Sequence, residues 1–322
     1  MRVLITGGGG FLGQKLARAL GTTGQLRGQP ITQLTLADLA APAPLTLPFP
    51  ATNTACNITD PADVQTLMAQ PFDVIFHLAA IVSGQAEADF DLGLNVNLFG
   101  TLNLLQAART HANAPVVVYA SSIAAHGGEE PAHIVDGVEL NPQTSYGTQK
   151  VMGELLLNDM TRRGMVDGRG LRLPTVTIRP GRANAAASSF MSSIFRDTLQ
   201  GETSNCPVAP DYPIYHTAPR TVVANLIHAA NLNCADFGTN RCINLPGRSD
   251  TVAQMIAAMT DVTGPDAENR ITWHPDAAVQ TIVKGWRGHC TPTKALALGF
   301  AQDASFADTV RWFLADDIAK AP

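Results

Sequence analysis

The chain is poor in charge and poor in cysteine. Only 15% of its 322 residues are Asp, Glu, Lys or Arg, and the formal net charge is -5. It has no run of basic residues, the usual footprint of a nucleic-acid or membrane-surface binder. No apolar stretch approaches the roughly 20 residues that span a bilayer. Arg2-Val-Leu-Ile-Thr6 runs straight into Gly7-Gly-Gly-Gly10, too short an apolar segment for a signal peptide. The five cysteines, Cys56, Cys206, Cys234, Cys242 and Cys290, are odd in number and widely scattered. They form no C-x-x-C or metal-ligand cluster and read as free thiols in a reducing cytoplasm, with no metal. Aromatics make up 6%, and Trp273, Trp286 and Trp312 read as packing residues.

What is present is alternation. Short apolar runs and helical patterns follow one another through the first half, which predicts βαβ units and a doubly wound parallel sheet of the α/β class. The expected strands are 2–6, 33–38, 73–80, 115–120, 173–179 and 241–245. The expected helices are 11–20, 61–69 with Asp60 as N-cap, 88–112, one carrying Tyr146, 222–230, 251–263 and 308–317. Residues 39–55, rich in Ala, Pro and Thr, read as a loop. Past residue 180 the pattern becomes irregular. Residues 1–180 therefore read as one domain and 181–322 mainly as a second, substrate-binding lobe, with elements near 222–245 returning to the first.

Thr6-Gly7-Gly8-Gly9-Gly10-Phe11-Leu12-Gly13 follows a strand and opens a helix. Gly7, Gly10 and Gly13 fit a G-x-x-G-x-x-G turn, whose glycines let the backbone approach a pyrophosphate. Phe11 and Leu12 open the helix whose N–H groups would face it. Asp38 closes the second strand, where a carboxylate accepts from ribose hydroxyls and repels a 2′-phosphate; NAD is favoured over NADP.

Tyr146-Gly-Thr-Gln-Lys150 places a phenol and an ammonium on one helix face. The ammonium favours the phenolate, which is a general base for a hydroxyl proton. Ser121-Ser122 closes an apolar strand just upstream.

With the glycine turn, Ser122, Tyr146 and Lys150 in place, the chain resembles the extended short-chain dehydrogenase/reductase family, the NAD-dependent epimerase/dehydratase group. Asn57-Ile-Thr-Asp60, His77-Leu-Ala-Ala80, Asn97-Leu-Phe-Gly-Thr101 and Arg179-Pro-Gly181 belong to the same likeness, which covers nearly the whole chain. The resemblance implies an oxidoreductase in which Asn57 and Ile58 flank the adenine and Leu78, Ala79 and Ala80 line the cofactor. Asn97 would lie in the helix beside the site, and Tyr146 and Lys150 would also contact the nicotinamide ribose. Asp is usual where Asn57 stands, and Ala125-His126-Gly127 departs from the Val-Tyr-Gly of many sugar-nucleotide members. Ala79-Ala-Ile-Val-Ser-Gly84, Ile178-Arg-Pro-Gly-Arg-Ala-Asn184 and His216-Thr-Ala-Pro-Arg220 resemble a subfamily that oxidises the C2 hydroxyl of the four-carbon sugar acid D-erythronate to its 2-oxo acid.

A sugar-acid substrate needs a cation, and the arginine fork binds carboxylate bidentately. Arg182 and Arg220 are the candidates, with Arg220 favoured; Ser83 and Asn184 are candidate hydroxyl contacts. Ser122 would hold the reacting oxygen. The resemblance also implies a homodimer through helices near 95–111 and 146–163. Two other readings stay open: a nucleotide-sugar epimerase or dehydratase on the same scaffold, and a non-catalytic dinucleotide-binding protein.

Overall fold

The computed structural model describes residues 1–129, 131–181, 189–283 and 285–319. The chain forms two compact units. Unit 1 comprises Met1–Ala125, Thr144–Arg172 and Val223–Asn244; unit 2 comprises His126–Gln143, Leu173–Val222 and Leu245–Pro322.

Unit 1 is built on a seven-stranded parallel sheet. Its strands are β1 (Arg2–Thr6), β2 (Gln33–Asp38), β3 (Ala51–Ala55), β4 (Val74–His77), β5 (Val116–Ser122), β6 (Asp167–Leu173) and β7 (Cys242–Asn244). In space they run β7-β6-β5-β4-β1-β2-β3, the doubly wound order with one strand added. The order reverses between β1 and β4, so a crevice opens beyond their C-terminal ends. Val3, Leu4, Ile5, Val74, Ile75, Phe76, Val117 and Val118 are almost wholly buried. That is why β1, β4 and β5 read as continuous apolar runs, as strands covered on both faces do.

Helix α1 (Phe11–Thr23) follows the glycine turn and α2 (Pro61–Leu67) starts at Asp60, whose Oδ1 accepts from the Ala62 N–H at 2.8 Å. The expected helix over 88–112 is interrupted. Ser83–Ala88 ends at Asp89, whose Oδ1 accepts from Leu92 N–H and starts Phe90–Gly93. A π-helical turn then spans Leu94–Phe99 before α3 (Gly100–Ala108). Helix α4 (Ser145–Arg162) is capped by Thr144, whose Oγ1 accepts from Gly147 N–H at 3.1 Å.

Three further expectations are corrected. Residues 51–55 form the edge strand β3 where a loop was expected. The strand expected over 173–179 lies at Asp167–Leu173, followed by a two-residue strand at Thr175–Val176 in unit 2. The helix expected from 222 starts at Pro219 and runs to Asn231.

In unit 2, Thr175–Val176, Pro213–Thr217 and Arg248–Thr251 form a three-stranded sheet. Helix Val252–Thr263 has a capping box between Thr251 and Gln254, and packs with Phe306–Phe313 around Val252, Met255, Met259, Phe306 and Val310. Buried Asp303 closes the start of the Pro219 helix. Its carboxylate accepts from Thr217 Oγ1 (2.9 Å), Ala218 N–H (2.8 Å) and Thr221 Oγ1. Asp303→Ala leaves three buried donors without this acceptor, and we expect a loss of about 2 kcal/mol in urea unfolding. A midpoint unchanged from the wild type would contradict that assignment.

Candidate active site

The glycine turn leaves β1 at its C-terminal end. Gly7 has φ +73°, and a Cβ on it would lie 2.7 Å from Ala79 N. A Cβ on Gly13 would collide with Gly7 O. The backbone is therefore packed to a closeness that only glycine permits. Gly10 is the N-cap of α1 and has no side chain to offer the first turn. Its N–H donates to Gly7 O at 3.1 Å, which curls the turn and leaves the N-terminal amides of α1, including those of Phe11 and Leu12, as an anion seat. At the end of β2, Asp38 Oδ2 accepts from Gly9 N–H (2.9 Å) and Oδ1 from Leu39 N–H (2.8 Å). The carboxylate is thus fixed against the turn. A cradle that a Cβ would fill, an open helix N-terminus and an oriented carboxylate together fit NAD.

The rest of the expected cofactor wall lies along the same sheet edge. Leu78 N–H donates to Thr6 O at 3.0 Å, extending β4 past the turn. Asn57 follows β3 and turns the chain, its Oδ1 accepting from Thr59 N–H and Oγ1. Ile58 is buried, and a Cβ on Gly100 would lie 2.7 Å from its Cδ1. Asn97 is fully buried in the π-helical turn, a helix defect that recurs at functional sites. Its Oδ1 accepts from Ile81 N–H at 2.9 Å, and its amide lies 2.8 Å from that of Gln149 on α4. It therefore ties the 78–81 segment to the helix of Tyr146.

Ser122 is the last residue of β5; its Oγ accepts from Ala124 N–H at 3.1 Å. Tyr146 and Lys150 lie one turn apart on α4, and Lys150 Nζ is 5.6 Å from the Tyr146 ring centroid. Lys150 is 2% exposed. Its Nζ donates to Ala120 O at 2.9 Å and sits 4.8 Å from the ring centroid of buried Tyr119. Burial pushes this ammonium down from 10.5 to about 7, and Glu154 pulls the other way. His77, at the end of β4, bridges Thr6 Oγ1 (2.7 Å) and Thr101 Oγ1 (2.9 Å) and stacks on Tyr119. Burial first, then Lys150, hold His77 down at about 3, so it is a neutral core residue rather than a base.

Sequence reasoning missed four side chains that frame this site: Gln149, Glu154, Arg172 and Tyr119. Buried Glu154 is held by Ser121 and by the Arg172 fork. The only local sign of it is position, since residues 146, 150 and 154 share one helix face.

Ser83 opens the Ser83–Ala88 helix in unit 1. Arg220, in unit 2, donates from Nε and Nη2 to Asp316 at 2.7 Å each, and its guanidinium lies 5.5 Å from the Trp312 ring centroid. Arg182 and Asn184 lie outside the described residues.

A glycine-turn dinucleotide site and a Tyr–Lys helix on one edge of a parallel sheet define a nucleotide-dependent oxidoreductase scaffold. The chain belongs to the NAD dependent epimerase/dehydratase family, which it matches over residues 3–218. It is 48% identical over 320 residues to a D-erythronate dehydrogenase of Cupriavidus necator, covering 98% of each chain. It is 42% identical over 322 residues to a D-erythronate dehydrogenase of Haemophilus influenzae, covering 99% of this chain and all of that one. Among solved structures, a nucleoside-diphosphate-sugar epimerase from Agrobacterium tumefaciens superposes with a TM-score of 0.95. The identity there is 39%, over 100% of this chain and 95% of the other.

Two outcomes follow from this geometry. Gly13→Ala should weaken NAD binding by about tenfold or more while the protein stays folded, since the turn must open to admit the methyl; calorimetry reads this, and unchanged affinity would contradict the cradle. Lys150 carries a pH signature. Between about pH 7 and 10.5 the unfolded chain holds a proton on Lys150 that the folded chain has released. Its contribution to stability therefore rises with pH across that window, and below it the buried ammonium is a cost. Lys150→Met should be more stable than the wild type below pH 7, with the gain narrowing as pH rises. A gain independent of pH in urea unfolding would show that the ammonium is not desolvated.

Proposed function

We propose that this protein oxidises the C2 hydroxyl of a small sugar acid with NAD, and that the substrate is D-erythronate, giving 2-oxo-D-erythronate. The observation that carries this reading is the buried Lys150 beside Tyr146 on α4, next to the strand that ends in Ser122. The 48% and 42% identities to D-erythronate dehydrogenases supply the substrate.

Tyr146, as phenolate, takes the proton from the C2 hydroxyl. Lys150 supports that phenolate with its charge, and Ser122 Oγ holds the reacting oxygen. As the O–H and C–H bonds break, C2 becomes a carbonyl. Gly7, Gly10, Phe11, Leu12 and Gly13 would hold NAD, with Asp38 toward its ribose, and the cofactor would supply the hydride acceptor. Asn57, Ile58, Leu78, Ala79, Ala80 and Asn97 complete its pocket. Ser83 and Asn184 contact substrate hydroxyls.

The carboxylate goes to an arginine, Arg182 or Arg220. Asp316 already occupies two donors of Arg220, so binding there exchanges one carboxylate for another. The protein works as a homodimer. Phe99, Met152 and Leu155 are 44%, 41% and 64% exposed on the helices expected at the interface, and dimerisation would cover them. Five free thiols fit a reducing cytoplasm. No helix among the described residues is long and apolar enough to cross a membrane.

The 39% identity to a nucleoside-diphosphate-sugar epimerase favours a second reading on the same scaffold. The two part on net redox change. Purified protein given NAD and a panel of aldonates and uronates should form NADH, fastest with D-erythronate. No NADH from any acid, with conversion of a nucleotide sugar instead, would replace the dehydrogenase reading. Tyr146→Phe should lower turnover by about 100-fold or more with NAD binding intact. Near-normal turnover would remove Tyr146 as the base. Arg220→Ala should raise the KM for the acid far more than that for NAD, and unchanged constants would leave Arg182 as the anchor.

A further inference from the structure

The π-helical turn at Leu94–Phe99 is braced from α4 by Gln149, which stands between Tyr146 and Lys150 in the chain. Gln149 is 1% exposed, and its amide meets that of fully buried Asn97 at 2.8 Å. Asn97 Oδ1 is already committed to Ile81 N–H at 2.9 Å. Asn97 Nδ2 is therefore the atom that faces Gln149, and Gln149 Oε1 accepts from it. The same Nδ2 lies 3.4 Å from Ile81 O. One asparagine thus faces both polar groups of Ile81, and one glutamine holds the asparagine. Room for the glutamine comes from Gly93. Its backbone is ordinary helix, φ -56°, so conformational freedom does not call for glycine there. Space does: a Cβ on Gly93 would lie 2.7 Å from Gln149 Nε2 and 3.1 Å from Ala86 Cβ. Hydride transfer as described above gives Gln149 no task.

We propose that Gln149 is a positioning residue for the nicotinamide half of the NAD site, acting through Asn97 on the peptide of Ile81. The strand order separates the two halves of that site. Asp38 ends β2 on one side of β1, where the adenosine end belongs, and β4 lies on the other side. The chain leaving β4 passes the glycine turn at Ala79, whose N is 2.7 Å from where a Gly7 Cβ would stand. Two residues on, Ile81 is tied through Asn97 to α4, the helix of Tyr146 and Lys150. A dinucleotide with its pyrophosphate on the turn and its adenosine at Asp38 would have its nicotinamide half on the 79–81 side. The inference rests on the seat for NAD and not on the sugar acid or on Tyr146 as the base.

Loss of the Gln149 oxygen has a local consequence. The buried Asn97 Nδ2 keeps only the 3.4 Å approach to Ile81 O, longer than an ordinary hydrogen bond. A buried donor without an acceptor is costly, so the amide turns or shifts to find one, and Oδ1 leaves the Ile81 N–H. The surrounding backbone stays. Thr101 Oγ1 donates to Asn97 O at 2.7 Å and holds the π-helical turn. Lys150 on Ala120 O, and Glu154 on Ser121 and Arg172, hold α4 against the sheet. Asp38 and the glycine turn have no part in the Gln149–Asn97–Ile81 chain.

The test compares NAD with ADP, which reaches the turn and Asp38 but has no nicotinamide half. Calorimetry measures both ligands on the wild type, Gln149→Met and Gly93→Ala. Gln149→Met keeps length and burial and removes the acceptor. Gly93→Ala keeps Gln149 and pushes its amide off Asn97, and alanine suits a helix better than glycine. Circular dichroism establishes that each variant is folded. Each should bind NAD about fivefold more weakly, the size of one neutral hydrogen bond, and ADP within about twofold of the wild type. Hydrogen exchange should find the Ile81 amide less protected in both variants. Unchanged NAD affinity in either folded variant would overturn the proposal and leave Gln149 a packing residue. NAD and ADP weakened alike would also overturn it, because a general prop of the sheet edge does not distinguish the two. The measurement needs no substrate. The expected pattern in a protein that oxidises no acid would sink the proposed reaction and not this inference; unchanged NAD affinity in variants of an active dehydrogenase would do the reverse.

Discussion

A lysine that is 2% exposed constrains everything around it. An ammonium out of water must find acceptors, opposite charge or aromatic faces. Lys150 has each: the Ala120 carbonyl, the Glu154 carboxylate one turn along, and the rings of Tyr119 and Tyr146. Meeting those needs fixes α4 against β5, and with it the place of Tyr146 relative to the strand that ends in Ser122. Neutral His77 and glycine at 153 follow from the same packing. The low charge content of the chain and the ionised groups in unit 1 are thus compatible, because the few charges that are buried there are paired.

The dinucleotide site is built the opposite way, from backbone. Its donors would be the amides at the start of α1, and the closeness of Gly7 to Ala79 leaves no room for side chains. Asp38 would contribute its charge at the adenosine end, and its position is set by the turn it braces. One edge of one sheet thereby carries a site made of amides and a site made of titratable groups, brought together by the reversal of strand order between β1 and β4.

The parts of this arrangement that were legible in the sequence are those whose cause is local. Strands β1 and β2 were bounded as observed because apolar runs end at glycine and at Asp38. The Tyr146 and Lys150 pair was legible because a single helix fixes its spacing. Strand β6 was misplaced because Asp167-Gly-Arg-Gly-Leu-Arg-Leu173 carries two arginines and reads as surface. Those arginines are buried only because Arg169 pairs with Asp167 and Arg172 with Glu154, and the second of these partners lies 18 residues away. The same long-range contact hid the clamp on α4. Edge strand β3 was missed because a half-exposed Ala-Thr-Asn-Thr-Ala segment has no apolar face to announce it. The π-helical turn holding Asn97 likewise goes with contacts beyond the helix, to Ile81 and Gln149, whereas the break at Asp89 is a local cap on Leu92.

The account stands or falls on where the hydrogen at C2 of the substrate goes. D-erythronate carrying deuterium at C2, turned over with NAD, tests this directly by mass spectrometry of both products. The account predicts one deuterium in the NADH formed, none in the 2-oxo acid at that carbon, and a slower rate than with the unlabelled acid. Deuterium retained in a sugar acid with no NADH, or washed into solvent, would contradict it.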